Sequence, residues 1–160
     1  MIRRFGIAIV MAVAATMLVG TSAASAEPQL LRVALYGENI ATGGDHAYCR
    51  GAYGVRMVSP VGKRGVVRMT LLSHGFRGDG AAWKRDPHCR FLAIVSYTSS
   101  RTLFSENVIP VSFSSRPGER VVRDLAIGSG PAKIEVGTYA RNSRVRLLQS
   151  YPLVFWTVIP

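Results

Sequence analysis

The stretch Phe91-Leu92-Ala93-Ile94-Val95-Ser96-Tyr97 decides the fold class of this chain. Phe91, Ala93, Val95 and Tyr97 recur with period two, the repeat of a strand and not of a helix. Leu92 and Ile94 make the second face apolar as well, so the segment reads as an interior strand. The same alternation continues on both sides of it. Upstream, Val67, Met69 and Leu71 share one face while Arg68 and Thr70 take the other. Tyr53–Val58 is a strand ended by Ser59-Pro60, and Leu30–Tyr36 opens the series. Between them Gly37–Gly44 reads as loop, with Gly43-Gly44 as its breaker.

Downstream, Val108–Phe113 contains Pro110, which has no N–H to give to a ladder and so belongs on an edge strand. Arg116-Pro117-Gly118-Glu119 is a turn sequence leading into Arg120–Leu125. Gly128–Pro131 is another turn, before Lys133–Tyr139. Asn142-Ser143 breaks the chain ahead of a strand at Arg144–Leu148. The final run, Leu153–Ile159, is almost wholly apolar and reads as a closing strand buried on both faces. No stretch longer than a turn or two carries a helical stripe. The expected fold is all-β: a single antiparallel β-sandwich, immunoglobulin-like, or a small barrel, of about 7–9 strands.

The chain opens Met-Ile-Arg3-Arg4, continues with an apolar run from Phe5 to Gly20, and reaches Ala24-Ser25-Ala26. A positive start, an apolar middle and a small-residue Ala-x-Ala site, in that order, are an export signal. Cleavage after Ala26 is expected, with residues 27–160 as one domain. An apolar run of about 16 residues falls short of the roughly 20 that span a bilayer, so a retained anchor is the poorer reading. The Arg3-Arg4 pair lacks the downstream pattern of twin-arginine export. No membrane span is expected after cleavage, and the compartment is secretory: extracellular, cell envelope or periplasm.

Removing Arg3 and Arg4 from the twenty basic residues leaves eighteen against nine acidic ones, a net charge of +9. Fifteen of the eighteen are arginine, whose guanidinium binds carboxylate and phosphate bidentately. They are scattered and not massed, as a GC-rich genome would also leave them, and no nucleic-acid motif accompanies them. The partner expected on charge is an anionic or polysaccharide envelope component, without nucleic acid.

Cys49 and Cys89 are the only cysteines, and in an oxidising compartment they are expected to form a disulfide. A rival zinc site would add His46 and His88. Adjacent strand residues face opposite ways, however, so His88 and Cys89 would not converge on one ion. A blue-copper site lacks the histidine and methionine that would follow Cys89. No metal and no cofactor is expected.

Motifs for catalysis are thin. Asp45-His46 and Asp86-x-His88 are each half of an acid–base pair, but no serine or cysteine sits in an elbow to be activated. Gly62-Lys63 lacks the preceding glycine and following hydroxyl of a phosphate loop. Arg77-Gly78-Asp79 is an adhesion tripeptide that an Arg- and Gly-rich chain produces by chance.

Two candidate contact regions stand out. Gly75–His88, with three glycines and Pro87, reads as a long surface loop in which Trp83 either folds back as a lid on the core, leaving Lys84 and Arg85 solvated, or offers a flat apolar face beside their charges. Arg144 and Arg146, on one face of a strand, form a second basic patch. The expected function is a non-catalytic, disulfide-bridged exported binding protein. The alternatives are a small secreted hydrolase using His74 or His88 with an acidic partner, and a structural envelope protein that assembles through strand edges.

Overall fold

The computed structural model describes residues 27–35 and 37–160. The expected export signal and cleavage point, the Arg3-Arg4 pair and Tyr36 lie outside the described residues. Nine strands and one short helix follow in order: β1 Arg32–Leu35, β2 Asn39–Gly43, β3 Arg50–Val58, β4 Val66–Arg77, α1 Gly80–Arg85, β5 His88–Ser99, β6 Ser105–Ser114, β7 Arg120–Ala126, β8 Gly130–Tyr139 and β9 Leu153–Ile159. They form two antiparallel sheets, one ordered β1-β9-β8-β5-β6 and the other β2-β3-β4-β7.

The period-two pattern produces this arrangement directly. Tyr53, Val55 and Met57 of β3 and Val67, Met69 and Leu71 of β4 all point inward and are buried. They meet Phe91, Ala93 and Val95 of β5, Ile134 and Val136 of β8, and Phe155 of β9. Between the sheets lies an aromatic cluster. Tyr53 stacks on Phe91 at 5.5 Å, and Phe76 lies 5.8 Å from Phe113. The Tyr53 hydroxyl is buried and 3.0 Å from Thr138 Oγ1. Burial pushes that phenol up to about 12, against the opposing effect of the Thr138 bond. β5 lies between β8 and β6, an interior position, and β6 with Pro110 is an edge.

Four expectations change. Residues 39–43, expected as loop, form β2, because Ile40 and Thr42 turn inward onto β3 while their neighbours face out. Gly75–His88 is not one loop. Gly75 has φ 96°, which bends β4 without ending it, and Phe76 pairs with Gly51 because its ring is anchored in the aromatic cluster. His88 already belongs to β5, and α1 fills most of what remains.

The segment Arg144–Leu148 is not a strand. Residues 140–152 form an irregular flap, with one isolated bridge from Leu148 to Tyr139. Arg146 pins the flap across the sheet through two 2.7 Å contacts with Glu106. Finally, β9 is buried on one face only: Leu153, Phe155, Thr157 and Ile159 point inward, while Trp156 and Val158 are exposed. A two-layer fold has a single core, and among the described residues no element covers the outer face of β9 as a third layer would.

Candidate functional site

All the chemistry-bearing residues singled out by sequence, apart from His74 and the flap arginines, gather at one pole. The β2–β3 turn, the β4–α1–β5 connection and the β6–β7 turn meet there. Cys49 and Cys89 are bonded, with Cα atoms 5.6 Å apart. Each is buried, and the bond ties the start of β3 to the start of β5. Gly44 lies directly against the bridge.

Asp45 is the hub of the polar shell around this bridge. Its Oδ1 accepts from the His46 ring at 2.7 Å and from the Arg90 backbone N–H at 3.2 Å. The second His46 nitrogen, Nε2, faces the Asp86 carbonyl at 3.1 Å. A carboxylate and a carbonyl oxygen can only accept, so both bonds form together when His46 is an imidazolium. The Asp45 hydrogen bond, then the Asp86 carbonyl, accordingly raise His46 above its ordinary value of 6.5, against the opposing effect of burial. Asp86 in turn accepts from Arg90 at 2.7 Å and from His88 Nδ1 at 3.1 Å. The Arg90 bond chiefly holds Asp86 below the usual carboxylate range, with His88 adding to it. On the far side of the pole, burial alone would raise Glu119, but hydrogen bonds from the Ser114 hydroxyl and N–H, each 2.6 Å, outweigh it and lower it.

Two of the three histidines, His46 and His88, therefore converge with Asp45 and Asp86. His74 stands apart on β4, bonded to Asn39 at 2.8 Å. The ligand atoms of Asp45, His46 and Cys49 lie within 4.8 Å of one another, a spacing a metal could use. The disulfide, however, leaves Cys49 no thiolate to offer, and the zinc set weighed from sequence needs both sulfurs free. Among the polar contacts described here, none places a serine or cysteine nucleophile on either histidine.

Trp83 is half-buried. It packs on the core, lies over Gly78 and sits 6.2 Å from the His46 ring. Lys84 and Arg85, on the same short helix, are exposed and have no acidic partner among the described residues. Asp79, before the helix, is engaged by Arg50 at 2.8 Å. In the flap, Arg146 is taken by Glu106 and Arg144 is exposed.

Sequence reading missed two features. The first is an apolar strip on the outer face of the five-stranded sheet, where Leu31 and Val33 lie beside Trp156 and Val158. They border a shallow hollow of about 730 Å³ that Pro131 and Lys133 also line. The apolar outward positions of Leu153–Ile159 were its signal. The second is the pairing of charges. Eight of the nine acids stand in ion pairs, and Glu119 is held by Ser114. Only seven of the eighteen described cations share those pairs, so eleven, all of them exposed, have no acidic partner among the described residues. No helix among the described residues is long and apolar enough to cross a membrane. No protein-family model matches this chain, and no curated protein matches it.

Proposed function

We propose that residues 1–26 are a cleaved export signal and that residues 27–160 are an exported, non-catalytic domain of immunoglobulin-like type that binds an anionic component of the cell envelope. One observation carries this reading: the acids are consumed within the fold and eleven cations are left over. A surface in which every negative charge is already engaged presents a single-sign field, which attracts polyanions and steers their approach. The disulfide suits an oxidising compartment. His46 and His88 are engaged in holding the pole together, which favours a structural role for them over proton transfer.

The candidate contacts are Lys84 and Arg85 on α1, beside the half-buried Trp83, with Arg144 on the flap as a separate cation. Arg146 contributes chiefly by fixing the flap. The test is retention of the purified domain on an isolated envelope fraction, walls and membranes together. Retention is expected at low salt and release at high salt, because exposed charges are screened within about 8 Å at physiological ionic strength. Reversing charge with Lys84→Glu and Arg85→Glu should weaken it. Absence of retention at low salt would sink the proposal.

A further inference from the structure

We propose that the pole opposite the disulfide docks onto an anionic lipid bilayer surface, a contact region separate from Lys84 and Arg85 that rests on the reading above that the domain binds an anionic envelope component. Strand direction brings five segments to this pole: the start of β1, the β3–β4 turn, the β5–β6 connection, the β7–β8 turn and the end of β9. The start of β1, the β3–β4 turn and the β5–β6 connection carry apolar side chains that are exposed among the described residues. Leu31 is 93 % exposed, Leu103 95 %, Val61 71 % and Phe104 65 %, with Val158 and Trp156 beside them on the outer sheet face. Large apolar side chains projecting from several separate turns fit insertion into the headgroup–acyl boundary, where each finds apolar surroundings independently of the others. Trp156 suits the same depth, since an indole carries an apolar body and a polar edge.

The turns that carry these tips are tied to one another. Gly65 N–H donates to Pro160 O at 2.8 Å, and Gly128 N–H to Gly65 O at 2.9 Å. Ser99 Oγ donates to Ile127 O at 2.8 Å, and Ser100 Oγ to Ser129 O at 3.1 Å. The pole is thus held in shape before any partner arrives, which reduces the ordering cost of docking.

Cations ring the tips. Arg64 and Arg101 are exposed and have no acidic partner among the described residues, and the ammonium groups of Lys63 and Lys133 are also near the surface. The acids here are engaged: Asp124 by Arg68 and Lys63, Glu135 by Lys133. The Arg68 bond, followed by the Lys63 bond, holds Asp124 well below the carboxylate range, so it stays charged and paired. Apolar tips with surrounding cations match an anionic headgroup layer, to which each basic side chain is attracted. A second copy fits less well, because two-fold pairing of this pole would gather the unpaired Arg64 and Arg101 of both copies into one like-charged interface. A sugar polymer fits less well too, since Leu31, Val61 and Leu103, unlike Phe104 and Trp156, offer neither a stacking face nor a hydrogen bond.

The experiment is sedimentation of residues 27–160 with vesicles of phosphatidylcholine alone and of phosphatidylcholine mixed with phosphatidylglycerol. Binding is expected to the mixed vesicles only, and to fall with salt. The paired change Leu103→Ser and Phe104→Ser should weaken partitioning about tenfold or more while melting stays unchanged, since both side chains are exposed. Arg64→Glu with Arg101→Glu should weaken it to a similar extent. No pelleting with anionic vesicles at low salt overturns the inference, as does unaltered partitioning of both paired variants. Dimerisation by light scattering that Leu103→Ser with Phe104→Ser abolishes, without vesicle affinity, also overturns it and makes the pole a self-interface. Retention on the envelope fraction without vesicle binding defeats the lipid partner and leaves the broader reading standing; loss of both defeats the two together.

Discussion

Gly44 offers the most exacting test of how the disulfide pole is built. It does not have positive φ, so alanine is permitted by the backbone. The obstacle is space: a Cβ at position 44 would lie 2.6 Å from Cys49 Sγ, closer still to Cys89 Sγ, and 3.0 Å from the Arg90 carbonyl oxygen. Ordinary contacts between such atoms are about 3.5–4.0 Å, so the overlap is near an ångström against two sulfurs that cannot separate. Gly44→Ala should therefore cost about 2–3 kcal/mol, the upper part of the overpacking range. Replacing both cysteines with alanine removes a cross-link between residues 40 apart, which costs about 4 kcal/mol in the chain-entropy account. It also removes the two sulfurs, so in that background Gly44→Ala should cost less than about 0.5 kcal/mol, its methyl entering the vacated space with only the Arg90 carbonyl oxygen at 3.0 Å left to yield. The coupling between position 44 and the bridge is then about 2–3 kcal/mol, at the high end for residues in contact. The assay is urea unfolding of residues 27–160 for all four proteins, with thiol titration confirming the bridge in the two that retain it. Equal costs of Gly44→Ala in both backgrounds would refute the packing described around the disulfide.

Three further outcomes follow from the same geometry. His46 has a folded-state pKa raised above 6.5, so its contribution is complete below about pH 6.5 and lost as pH rises through the folded value; unfolding free energy should fall over that window, and His46→Gln should flatten the fall. The two tryptophans should separate in a melt: Trp83→Ala, on the core, should cost about 2–3 kcal/mol, whereas Trp156→Ala, on the outer face, should cost less than about 1 kcal/mol. Tyr53→Phe should cost about 1–2 kcal/mol by stranding the buried Thr138 hydroxyl, and adding Thr138→Val should recover part of it; strict additivity of the two would show that the hydroxyls are not partners.

Local patterning was enough to mark eight of the nine strands, because in a two-layer β fold the side-chain period and the position of the core are the same fact. Pro110 marked an edge for an equally local reason, its missing N–H. The pairing of Cys49 with Cys89 needed only that they are the two cysteines of the chain and an expected oxidising compartment. β2 escaped notice because Asn39, Ala41 and Gly43 on its outer positions resemble loop residues, and only packing of Ile40 and Thr42 against β3 distinguishes them.

What the chain brings together from afar was beyond sequence reading. Asp45, His46, Asp86 and Arg90 meet through a turn and a strand start some forty residues apart, and Leu31, Val61, Leu103 and Val158 share a pole only through strand direction. The outer face of β9 makes the same point. Its residues are as apolar as its core-facing ones, and whether that face is covered depends on there being a third layer, which no local pattern contains. Composition and period specify what each segment can bury; only the tertiary arrangement decides what is left uncovered, and function is sought on that remainder.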